Sequence, residues 1–139
     1  MGLPLNSLNE RQRAMIGSKD RVSMKIATPE ERRAKWEAGQ EKELQKLISN
    51  WLSQQGDAVY VETDSFGRKT SGKAGRPDFR ICYRGRWIGI EVKTEKGRLS
   101  PAQVETLEKI RKAGGIAIVA FGLDAVRDAL RQIDGEVLK

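Results

Sequence analysis

The chain has no histidine and a single cysteine, Cys82. The first absence removes Ser-His-Asp and Cys-His catalysis, a histidine general base and histidine-ligated zinc. The second leaves no internal disulfide and no thiolate metal cluster, which fits a reducing compartment. No apolar run approaches the roughly 18–20 residues that a membrane span needs. The opening MGLPLNSLNERQRAMIG lacks the apolar stretch of a signal peptide, and MGLPLN lacks the Ser or Thr of a myristoylation motif. A soluble, cytoplasmic protein is expected. Any hydrolytic chemistry in it must run on carboxylates, lysine and a hard metal ion.

What the chain has in surplus is positive charge. Its 139 residues carry 26 Lys and Arg against 19 Asp and Glu, a net +7. The length fits one domain with a short appendage, and a surplus of this size favours a polyanionic partner, nucleic acid first. The charge is unevenly spread: residues 65–100 hold 10 basic and 3 acidic groups, which equals the surplus of the whole chain. Within that segment Ser65 to Arg76, SFGRKTSGKAGR, is rich in Gly and Ser and has no acid. Such a run reads as a solvated loop or as a flexible loop that contacts phosphates.

Residues 1–27 show no period and read as an irregular or weakly helical arm. Thr28-Pro29-Glu30-Glu31 is a helix start, with Thr28 as N-cap, Pro29 at the first helical position and Glu31 closing a capping box. The helix should run to about Gln55, with Gly39 a possible break and Gly56 its stop. Its second half carries an apolar stripe of Leu44, Leu47, Ile48, Trp51 and Leu52. Residues 58–63 read as a strand. Asp78 to Tyr83 and Arg86 to Lys93 alternate and are joined by a tight turn, a hairpin signal. Ser100-Pro101 opens a helix that Gly114-Gly115 closes. The apolar run Ile116 to Phe121 predicts a strand buried on both faces, and Leu123 to Ile133 a last helix. The order α-β-β-β-α-β-α implies an α/β fold with a mixed central sheet flanked by helices. The boundaries expected are a basic arm or helix at 1–40 and a main domain at 41–139.

Three acids sit where packing would not put them. The period of two gives Glu91 and Lys93 one strand face, with Gly89 beside them. Asp78 follows Pro77 at the mouth of the hairpin, opposite the far end of that strand. On the first helix Glu41 lies only about 50° from the centre of the apolar stripe, at about 100° per residue. Acids that converge beside a lysine match a metal-assisted hydrolysis site, in which two carboxylates hold Mg²⁺. Solvated ion pairs on an exposed strand are the ordinary alternative.

Pro77-Asp78 followed by Glu91-Val92-Lys93 resembles the PD-(D/E)xK nuclease motif. Gly75-Arg76-Pro77-Asp78-Phe79, Ile90 to Lys93, and Gly97-Arg98-Leu99-Ser100-Pro101-Ala102-Gln103 resemble the VRR-NUC branch of that superfamily, over about residues 41–125. The resemblance implies a restriction-endonuclease-like α-β-β-β-α-β core. It makes Asp78 and Glu91 metal ligands, with the Val92 carbonyl completing the site, and Lys93 the catalytic lysine. Glu41 matches the first-helix glutamate that helps to hold a metal or its water in related Holliday-junction resolvases, with Glu43 the other candidate. Gln103 falls where the branch places a glutamine. The implied cofactor is Mg²⁺, with Mn²⁺ as substitute. Stand-alone phage-type members imply a homodimer acting on four-way junctions, in a bacterial or phage-infected cell.

The expectation is therefore a Mg²⁺-dependent endonuclease that cuts branched DNA, with flap or linear DNA the nearest rival substrates. Arg68, Lys69, Lys73 and Arg76 would hold the backbone, joined by Lys96 and Arg98 just past the site. The alternatives are a DNA-binding module with an inactive or regulatory nuclease-like site, and an interaction protein whose basicity is incidental. Among the aromatics, Trp51 is expected in the core, Trp36 in the arm or a dimer contact, and Trp87 beside the site as a packing residue. Cys82 reads as a small strand residue.

Overall fold

The computed structural model describes residues 26–64 and 74–137. It contains α1 (Pro29–Ser53), β1 (Val59–Thr63), β2 (Phe79–Tyr83), β3 (Arg86–Val92), α2 (Pro101–Lys112), β4 (Ile116–Ala120) and α3 (Leu123–Val137). A turn of 3-10 helix, Gly56–Ala58, leads from α1 into β1. The strands lie in the order β1-β2-β3-β4, antiparallel except for the parallel pair β3 and β4. This is the mixed α/β architecture that the element order predicts.

Thr28 caps α1 as its sequence requires. Its hydroxyl accepts from the Glu31 N–H at 3.1 Å, and its own N–H donates to the Glu31 carboxylate at 2.8 Å. The helix passes unbroken through Gly39 and through residue 40, where the arm was expected to give way to the domain. Nothing lies within 4 Å of a Cβ built on Gly39. Gly39→Ala should therefore raise stability by about 0.5–1 kcal/mol, read from the urea midpoint, because alanine loses less backbone entropy in a helix.

The buried face of α1 differs from the expected stripe. It is centred on Gln45, Ile48 and Leu52, whereas Leu47 is 51% exposed. Counting apolar residues drew the centre of the stripe toward Leu47, but the face that meets the sheet continues toward the N-terminus in polar residues. At about 100° per residue, Glu41 stands almost at the centre of the true buried face. Trp36 is exposed, and Trp51 is half-buried against the core with the Arg127 guanidinium 5.7 Å from its ring centre.

The core gathers Phe79, Ile81, Ile88, Ile90 and Val92 from one sheet face with Ile48 and Leu52 of α1 and Val126, Leu130 and Ile133 of α3. Each such side chain contributes about 1.5–3 kcal/mol on burial. The opposite face meets α2, whose Ile110 packs over Gly89. Arg84 and Gly85 have φ of 49° and 76° and pair Tyr83 with Arg86, a two-residue hairpin turn of the kind that matches strand twist. The Tyr83 hydroxyl donates to Asp134 at 2.6 Å, and Arg86 reaches Glu136 at 2.6 Å, so the hairpin is tied to α3.

Burial of the last strand is partial. β4 is an edge strand among the described residues, half-buried at Ile116, Ile118 and Val119, and Phe121 lies beyond it exposed. Its uniform apolar character fits helix cover on both faces, where Ala117 and Ala120, of opposite parity, are both buried. Trp87 stands four residues along β3 from Glu91, its ring packed against Gly89 and Gly115.

Candidate active site

Pro77 has no N–H to give to a ladder, and β2 accordingly begins two residues later at Phe79. Phe79 pairs with Ile90, so one step further in register brings Asp78 opposite Glu91. The Asp78 carboxylate then takes the place of a backbone acceptor: its Oδ2 receives the Val92 N–H at 2.8 Å. Glu91 is only 2% exposed. Its Oε1 accepts from Gln103 Nε2 at 2.7 Å and lies 3.8 Å from Lys93 Nζ. Its Oε2 is buried and receives no N–H from another described residue, and Asp78 is within hydrogen-bonding reach of Glu91 once one of the two carries a proton.

Gln103 owes its aim to the start of α2. Ser100 Oγ accepts from the Gln103 N–H at 3.2 Å, and the Ser100 N–H donates to Gln103 Oε1 at 2.8 Å, which completes a capping box. With its oxygen occupied by the cap, the amide must present Nε2 to Glu91. Lys93 leaves the sheet at the end of β3, its N–H held by the Ala120 carbonyl at 3.0 Å. A Cβ on Gly97 would stand 3.2 Å from Lys93 Cδ, so the glycine leaves room for the lysine stem.

Burial is the largest influence on all three acids. It raises the pKa of Asp78, against which the Val92 N–H, Lys93, the Gln45 amide and Glu91 act to lower it. It pushes Glu91 up to about 8, helped by the charges of Asp78 and Glu41 and opposed by Lys93. It raises Glu41 as well, with Lys93 lowering and Asp78 raising it. Without a cation, therefore, burial and the proximity of the two carboxylates favour a proton held by the Asp78–Glu91 pair.

Glu41 acts on this pair through charge. Among the described residues no group of three or more Asp, Glu, Cys or His is placed to hold a metal ion. Glu41 is half-buried and close enough to Lys93 and Asp78 for their charges to shift its pKa. Glu43 lies on the exposed side of α1, 3.2 Å from Lys46. Gln45 was missed by sequence reasoning. Its signal was its position four residues after Glu41, on the helical row that continues to Ile48 and Leu52.

Arg76, Lys96 and Arg98 are exposed, and Arg76 is 3.7 Å from Asp64. Arg68, Lys69 and Lys73 lie outside the described residues. Cys82 is exposed on β2, opposite Trp87 in the register. No helix among the described residues is long and apolar enough to cross a membrane.

A mixed sheet that brings two carboxylates together at the end of a hairpin, with a lysine two residues beyond the second, defines a nuclease-like fold. The chain belongs to the VRR-NUC domain family, whose profile matches residues 24–123. A solved structure described as a VRR_NUC domain protein is 28% identical, with a TM-score of 0.52, and the match covers 66% of this chain and 85% of that one. Another, described as a VRR_NUC domain, is 24% identical with a TM-score of 0.47, covering 68% and 95%. No curated protein matches the sequence. Membership in a nuclease domain family makes DNA the expected partner.

Proposed function

We propose that this protein is a Mg²⁺-dependent endonuclease that hydrolyses DNA phosphodiester bonds, with four-way junctions or other branched DNA as its substrate. The observation that carries the reading is Glu91: a carboxylate only 2% exposed and buried against the Asp78 carboxylate, which raises its pKa. Burying such a group has a cost that packing alone does not explain. The donor set fits a hard cation, which takes oxygen ligands and commonly uses one or two carboxylates. Asp78, Glu91 and the Val92 carbonyl would hold it. Bound there, Mg²⁺, or Mn²⁺ in its place, supplies positive charge that acidifies water and offsets charge on the phosphoryl group.

The chain's own groups do the rest. Gln103 holds Glu91 in place through Nε2. Lys93 offers its ammonium to the attacking water or to a phosphoryl oxygen as charge develops there. Glu41, half-buried near Lys93 and Asp78, would help to hold the metal or to position its water at the rim. Hydrolysis forms one bond from the water oxygen to phosphorus and breaks one phosphorus–oxygen ester bond, with the released proton passing to the leaving alkoxide. Arg76, Lys96 and Arg98 hold the DNA backbone, together with Arg68, Lys69 and Lys73. Two copies of the chain on one junction would place the two cuts symmetrically.

Cleavage of labelled four-way junction, flap and linear duplex, with Mg²⁺ and with EDTA, tests this. Lys93→Ala should lower the Mg²⁺-dependent rate by about 10²–10³-fold while DNA binding in EDTA is retained. Tight, salt-sensitive binding without cutting in Mg²⁺ or Mn²⁺ would overturn the nuclease reading and leave a DNA-binding module.

A further inference from the structure

We propose that Arg80 is a positioning residue for Asp78: its buried guanidinium, anchored by Asp64, fixes the Pro77–Asp78 peptide from which the Asp78 carboxylate is aimed. Arg80 lies on β2 two residues after Asp78 and opposite Gly89 in the register, so it shares the sheet face of the acids. Alternation alone would leave it as one more basic group on a polar face. Instead it is 9% exposed.

Its contacts define a direction. Nη1 donates to the Pro77 carbonyl at 2.9 Å. The same end of the fork meets the Asp64 carboxylate at 3.4 Å and 3.3 Å through Nη1 and Nη2. Nε is 3.6 Å from Glu62 Oε2. Glu62 and Asp64 could neutralise an arginine anywhere along the rim, where the pair would need no burial. Burying a charge costs several kcal/mol unless it is fully paired. What burial gains here is the bond to Pro77.

That carbonyl belongs to the peptide that precedes Asp78. Pro77 cannot donate to a ladder, and Phe79 is the first residue of β2, so the Pro77–Asp78 peptide lies outside the strand pairing that orders its neighbours. Arg80 supplies the missing restraint. On the far side of the carboxylate, Val92 N–H supplies the other. Fixed at both ends, Asp78 faces Glu91 with little freedom, and a site that loosens by about 1 Å can lose activity about 10²-fold.

The test separates position from stability. In Arg80→Met, the hydrogen exchange of the Val92 amide, which is held by Asp78, should accelerate about tenfold or more relative to the Ile90 amide within β3. Global destabilisation would move both amides together. Arg80→Lys, which keeps the charge but loses the fork, should recover part of the protection, and Asp64→Asn should lie between wild type and Arg80→Met. An unchanged ratio of Val92 to Ile90 exchange in folded Arg80→Met would overturn the proposal. A second readout rests on the nuclease reading: Arg80→Met should weaken Mn²⁺ binding by about 10–100-fold by calorimetry. A wild-type protein that takes up no Mn²⁺ would overturn that reading, and the exchange ratio would still decide Arg80.

Discussion

Glu91→Gln is expected to make the protein more stable near pH 9, by about 2–4 kcal/mol, and to change it little near pH 5. The sign follows from where the proton sits. Burial, with Asp78 beside it, pushes Glu91 up to about 8 in the folded protein, from an ordinary value of 4.5. Between those two values the folded chain holds a proton that the unfolded chain has released. Stability from this group is therefore full below pH 4.5 and is lost as pH rises toward 8. Glutamine never ionises, so the variant escapes the loss. It also keeps an amide oxygen for Gln103 and gains an N–H that can face Asp78. Urea unfolding of both proteins across this range checks the prediction, and a difference that does not grow with pH would count against it. Mg²⁺ should restore stability to the wild type at high pH by neutralising the pair, and should do far less for Glu91→Gln. On the proposed nuclease reading, the stabilised variant should show no cleavage, as expected where strain in the ground state belongs to function.

The second large effect is expected at Gly75. Its φ is +83°, a conformation that L side chains rarely adopt. A Cβ there would overlap the Ala102 carbonyl and come 2.8 Å from Thr106 Oγ1. The obstacle is backbone, so no rotamer relieves it. Gly75→Ala should lose about 2–4 kcal/mol, combining strain in the left-handed region with overpacking. The damage should also reach the acids. Ala102 sits between Ser100 and Gln103 in the first turn of α2, and pushing that turn away draws Gln103 Nε2 off Glu91. Cleavage by the folded fraction should therefore fall by more than the loss of folded protein explains. Gly39→Ala, on an exposed helix face, is the control that should gain stability and keep full cleavage.

Much of this arrangement could be read from the chain because local signals agreed with one another. The two helix starts at Thr28 and Ser100, the turn at Arg84-Gly85 and the alternation of β2 and β3 each depend on neighbours in sequence. Together they bring Asp78 to Glu91. What stayed hidden depends on which faces meet. Gln45 is a polar residue on the face of α1 that meets the sheet, and a count of apolar positions looked past it to Leu47. Arg80 has the strand parity of a solvent-facing residue and is buried because Asp64, Glu62 and Pro77 surround it. Glu41 could be placed on the correct face, but its approach to Lys93 and Asp78 depends on how α1 packs on the sheet, which no spacing in the sequence encodes.

The two-residue turn at Arg84-Gly85 also sets a rule of arithmetic for the gene. Twelve residues separate Asp78 from Glu91, the two of the turn and five matched pairs from Phe79↔Ile90 to Tyr83↔Arg86. A single insertion within either strand that no bulge absorbs would turn one acid to the opposite face of the sheet, since each step along a strand reverses the side chain. The hairpin can lengthen or shorten without parting the acids only by whole pairs, one residue on each strand. Among working descendants of this chain that keep the same turn, the count between the two acids should stay even.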